Sequence, residues 1–151
     1  MLGKRVLLIM SVVLNAVFAV GCDQNQISAT PRADETDLCN FHQGPCRVSV
    51  GDNIISLELS PSDAPSEKPL TFKVKLSNAP TNLDSRIEGR DMFMGVIPVN
   101  WTETGENTFQ ASAIYGSCSS DYMIWRLWLS ITDKEGNTQQ TWFDFKADNS
   151  R

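Results

Sequence analysis

The chain has 151 residues, 41% hydrophobic and 21% charged, with 13 lysines and arginines against 18 aspartates and glutamates, giving a formal net charge of −5. That acidity, with no run of basic residues, repels phosphate backbones and anionic lipid and argues against nucleic-acid binding. A single histidine and the lack of a glycine-rich phosphate loop leave little material for hydrolase, zinc or nucleotide chemistry, so no enzyme activity is expected.

Lys4 and Arg5 open the chain, and Val6–Val20 follows as an apolar run broken by Ser11 and Asn15. The run is shorter than the roughly 20 residues of a membrane-spanning helix and suits the apolar part of a signal peptide. Phe18-Ala19-Val20-Gly21-Cys22 resembles the lipobox of bacterial lipoproteins. Residues 1–21 are therefore expected to be removed, and Cys22 to be acylated with palmitate-type chains that anchor the protein on the periplasmic side of a membrane. An ordinary cleaved signal with a chance cysteine is the alternative. Asp23 resembles the signal for retention in the inner membrane. Loss of Lys4 and Arg5 with the leader takes the net charge from −5 to −7.

Residues 23–38 carry almost no large apolar side chain and cannot bury enough surface to offset their ordering entropy. With Cys22 they form a tether whose coil dimension, about 20–25 Å, holds a small domain just off the membrane.

Residues 39–151 read as one all-β domain. Cys46 begins a first strand. Alternation then runs through Ile55, Leu57 and Leu59, and through Leu70, Phe72, Val74 and Leu76. It resumes at Phe109, Ala111, Ala113 and Tyr115, continues through Met123, Trp125, Leu127, Leu129 and Ile131, and ends at Phe143 and Phe145. Turn-forming stretches such as NAPTN, TETGEN and DKEGN separate these runs. About seven such strands suggest an immunoglobulin-like antiparallel β-sandwich. Trp125 belongs at its centre. Trp128 falls on the opposite face, either covered by a loop or left in an exposed patch where a partner docks.

If Cys22 is lipidated, Cys39, Cys46 and Cys118 remain, and in an oxidising compartment two of the three pair. Cys39–Cys46, closing the loop NFHQGP, is preferred over Cys46–Cys118. The third sulfur is then a small buried hydrophobe or a reactive thiol.

The stretch GRDMFMG places Met92 and Met94 one residue apart, and on an extended strand both thioethers face one side. They are either core filler or soft donors suited to Cu(I), with Cys118, Met123 and His42 as further candidate ligands.

The Met94-Gly95 element, the strand around Trp125 and the Phe143-Asp144-Phe145 ending resemble YtkA/FixH-type periplasmic β-sandwich domains. Together with CNFHQGPC, DMFMG and a lone downstream cysteine they also resemble a group of small proteobacterial lipoproteins. The resemblance implies an immunoglobulin-like fold and a role in copper delivery or cytochrome oxidase assembly. The chain departs from a copper chaperone in having no histidine beside the methionine pair. The alternative function is a non-catalytic accessory lipoprotein that binds another envelope protein through a face containing Trp101 or Trp128. Thiol–disulfide exchange at Cys39 and Cys46 is the least favoured reading, because their spacing is unlike C-x-x-C.

Overall fold

The computed structural model describes Glu35, residues 37–117 and residues 122–148. The leader, Cys22, most of the tether and Cys118 lie outside the described residues. Among the described residues no helix is long and apolar enough to cross a membrane.

The described residues form nine strands: β1 (Cys46–Val50), β2 (Asn53–Ser60), β3 (Leu70–Leu76), β4 (Asn82–Gly89), β5 (Val96–Val99), β6 (Thr102–Gly105), β7 (Thr108–Ala113), β8 (Tyr122–Thr132) and β9 (Thr138–Asp148). All pair antiparallel, in a five-stranded sheet ordered β1-β2-β3-β7-β6 and a four-stranded sheet ordered β5-β4-β8-β9. This is an immunoglobulin-like sandwich with more strands than the seven expected.

The inward rows are those that the alternation marks. Ile55, Leu57, Leu70, Phe72, Val74, Leu127 and Phe145 have no exposed surface. Trp125 stacks on Tyr115 with ring centroids 4.8 Å apart, and the Tyr115 hydroxyl donates to the Ala64 carbonyl at 2.7 Å. Phe145 meets Phe41 and Phe72 edge-on at 5.9 and 6.1 Å. Burial of these side chains out of water is the main force holding the two sheets together.

Two segments differ from the sequence reading. TETG, read as a turn, is β6; each of its residues is exposed, so burial imposes no alternation on it. Met92 and Met94, expected on a strand, lie in the loop between β4 and β5.

Cys39 and Cys46 form a disulfide. Cys39 donates its amide to the Asp144 carbonyl at 2.7 Å and bridges to Phe145, beside the edge strand β9 of the four-stranded sheet. The chain then turns through a 3-10 segment, Phe41–Gln43, capped by the Asn40 side chain, and enters β1 of the other sheet. The disulfide therefore ties the edges of the two sheets together at the start of the β-sandwich.

Candidate functional site

The loop carrying the two methionines is shaped by its neighbours. A Cβ on Gly89 would sit 2.2 Å from the Met92 carbonyl oxygen, so only glycine permits this close return of the chain. Gly95 closes the loop at φ +85°, in the left-handed region that glycine occupies without steric cost. The Arg90 amide donates to the Ile124 carbonyl at 2.9 Å, extending the β4–β8 ladder by one bond. The Arg90 side chain is 10% exposed, pairs with Asp91 at 3.0 Å and comes within 3.8 Å of Asp144 on β9. Arg90 thus pins the loop base to the outer face of the four-stranded sheet. The tip beyond it projects outward, with Met92 52% and Phe93 82% exposed, and Val96 at the start of β5 is 53% exposed.

The five expected metal ligands fare differently. Met94 is partly buried against the core, and Met123 is buried. The Met123 terminal methyl and the Met92 carbonyl both lie over Gly89, so Met92 and Met123 share one corner of the sandwich. His42 is exposed in the 3-10 turn, with its Nδ1 3.1 Å from the Ser62 hydroxyl. Cys118 lies outside the described residues. Among the described residues no three His, Cys, Asp or Glu side chains group as a metal-binding cluster. The His42–Ser62 contact joins a nucleophile type to a base type, a pairing that their positions in the sequence gave no means of foreseeing.

Trp101 and Trp128, named as candidate docking residues, are both engaged. Trp101 is partly buried, packs against the core and donates its Nε1 to the Ser85 hydroxyl at 2.7 Å. Trp128 is covered by side chains of its own sheet. The Arg86 and Arg126 guanidinium carbons lie 5.1 and 5.3 Å from its ring centre, and its Nε1 donates to Glu88 at 3.2 Å.

These contacts belong to ordered rows across the outer face. In register across β4, β8 and β9 lie Asp84, Ser130 and Gln140, then Arg86, Trp128 and Trp142, then Glu88, Arg126 and Asp144. The Trp128 and Trp142 rings are 5.4 Å apart, and Arg126 also lies 5.0 Å from Trp142. Arg126 makes two bonds of 2.7 Å to the Asp144 carboxylate, a bidentate pair that raises the guanidinium pKa above its ordinary value against the cost of burial. Guanidinium–indole attraction and paired charges let tryptophans stand on a solvated sheet face. The sequence signal for this face is the second parity of the same strands, on which Trp128 alone is named, as either loop-covered or part of an exposed patch.

No protein-family model matches the chain, and no curated protein sequence matches it. Solved structures do. A DUF4426 family protein from Pseudomonas aeruginosa PAO1 is similar at 13% identity with a TM-score of 0.51, covering 72% of this chain and 98% of that one. A DUF4785 family protein from Legionella pneumophila is similar at 17% identity with a TM-score of 0.51, covering 68% of this chain and 30% of that one. At these identities the likeness shows the fold: an antiparallel, multi-strand β-sandwich.

Proposed function

We propose that the chain is a non-catalytic accessory lipoprotein, tethered through Cys22 to the periplasmic side of a membrane, that binds another envelope protein through the β4–β5 loop. The observation that carries this reading is the exposure of Met92 and Phe93 on one pinned loop, with exposed Val96 at the start of β5 following it. Large apolar side chains held out of the core by a rigid base, and lying close together, are a feature of interaction surfaces. Contact is made through side chains and not by adding a strand, because the adjoining edge strand β5 contains Pro98, which has no amide hydrogen to donate. Methionine and phenylalanine together suit an apolar, shape-tolerant partner surface.

The test is co-purification of the full-length protein from membranes with and without the double substitution Met92→Ser/Phe93→Ser. A defined protein recovered with the wild type should be lost from the variant at unchanged thermal stability. Recovery of the same protein with both would contradict the assignment.

A second reading is that the same corner binds Cu(I) through Met92, Met94 and Met123, in line with the resemblance to YtkA/FixH-type domains and their copper-linked role. It is supported by Met92 and Met123 flanking Gly89, with Met94 in the same short loop. Thioethers suit a soft monovalent metal and little else. Competition titration of the reduced protein against a Cu(I) chelator tests it. Met92→Ala/Met94→Ala should weaken binding, and equal affinity in variant and wild type removes the copper reading while leaving the docking reading intact.

A further inference from the structure

We propose that Met92 is a site of reversible oxidation, at which a peroxide converts the thioether to a sulfoxide and so releases the partner that the β4–β5 loop holds. This deepens the docking assignment and rests on it. Three methionines lie among the described residues, and their surroundings differ. Met92 is 52% exposed, Met94 is partly buried against the core, and Met123 is 7% exposed. Oxidation follows the access of the oxidant to sulfur, so a peroxide reaches Met92 ahead of the other two. The loop base keeps this difference in place. Gly89 permits the close return of the chain at the Met92 carbonyl, and the Met123 methyl group lies over the same glycine. The Arg90 amide bonds to the Ile124 carbonyl at 2.9 Å, and the Arg90 side chain is only 10% exposed beside Asp91 and Asp144. The pinned backbone thus holds one sulfur out and one in.

The step is a two-electron oxidation. The sulfur lone pair attacks one oxygen of hydrogen peroxide, the O–O bond breaks as the S–O bond forms, and the other oxygen leaves with both protons as water. The product sets a strong hydrogen-bond acceptor into the apolar patch made by Met92, Phe93 and Val96. Against an apolar partner surface that oxygen loses its water without gaining a donor, which opposes docking. Phe93 is inert to the same oxidant, so the patch responds through a single atom. The change is reversed by a sulfoxide reductase, whose thiols return two electrons to sulfur while the oxygen leaves as water.

The purified full-length protein is treated with hydrogen peroxide for increasing times. Each sample is divided between peptide mass spectrometry and recovery of the partner from detergent-solubilised membranes. Met92 should gain one oxygen about tenfold faster than Met123, with Met94 between them. The amount of the defined protein recovered should fall about tenfold as Met92 sulfoxide nears completion, following Met92 and not Met94. Sulfoxide reductase should restore the recovery, and untreated Met92→Gln, which puts a polar group at the same place, should reproduce the loss. The proposal is overturned if Met92 oxidises no faster than Met123, or if recovery is undiminished from protein fully oxidised at Met92. Phe93→Ser separates this outcome from a failure of the docking assignment. Undiminished recovery with untreated Phe93→Ser removes the assignment and the proposal together. Loss with Phe93→Ser alongside full recovery by the oxidised wild type overturns the oxidation proposal alone.

Discussion

Phe93 and Trp125 mark the two extremes of what one aromatic side chain does in this protein. Phe93 is 82% exposed, and the Met92→Ser/Phe93→Ser change should shift stability by no more than about 0.5 kcal/mol, measurable by urea denaturation. Trp125 is 1% exposed and stacked on Tyr115, and among the described residues its Nε1 has no hydrogen-bond partner. Trp125→Ala should therefore cost about 3–5 kcal/mol. Trp125→Phe should cost markedly less, because it removes the unpaired N–H together with part of the volume. Denaturant midpoints of the two variants give the comparison. Gly89 acts through the space it leaves free. A methyl group there meets the Met92 carbonyl, so Gly89→Ala should force the loop away from β4 at about 1–3 kcal/mol and disturb partner binding with it. A stability loss with co-purification intact would show that the loop position is not what the partner reads.

At the scale of strands, the four-stranded sheet is organised by charge and aromatic contact on one face and by apolar packing on the other. The Arg126–Asp144 pair joins β8 to β9 across side chains that are 25% and 13% exposed. A double-mutant cycle with alanine at both positions should give a coupling of about 1–2 kcal/mol after allowance for solvent screening. Asp144→Ala alone should cost more than Arg126→Ala, since it leaves Arg90 and Arg126 facing each other without their shared carboxylate. The β8–β9 turn is set by Asp133, whose carboxylate accepts from the amides of Glu135 and Asn137 and from the Asn137 side chain. The Asn137 side-chain bond, with the backbone bonds behind it, depresses the Asp133 pKa below the ordinary value. A depressed acid contributes stability that is present above its unfolded pKa and lost as pH falls through the folded one. The melting-temperature advantage of wild type over Asp133→Ala should accordingly be full at neutral pH and vanish on strong acidification. An advantage that survives at low pH would assign it to something other than the carboxylate.

Over the whole molecule, legibility followed burial. Strands whose alternate residues enter the core, β2, β3, β7, β8 and β9, announce themselves in sequence, because the pleat sends every second side chain inward. The short edge strands β5 and β6 do not, since an exposed edge imposes no apolar rhythm, and β4 shows only Leu83 and Ile87 among polar neighbours. The disulfide was legible as the preferred pairing because its cysteines flank a tight turn, and the structure adds that it ties the edges of both sheets. The candidate site was legible in its residue types but not in its geometry. GRDMFMG drew attention to Met92 and Met94, while the roles of Gly89 and Arg90 rest on contacts with Met92, Ile124 and Asp144 that spacing cannot reveal. The Arg86–Trp128–Trp142 row needs three strands in register, and one of them was not visible in the sequence. The most direct measurement of the central claim is site-specific photocrosslinking of the full-length protein in native membranes, with the photoreactive residue at position 93 and, as control, at exposed Lys73 on the opposite sheet. The account predicts a discrete protein adduct from position 93 and none from position 73; adducts equal at both positions, or none at 93, would contradict it.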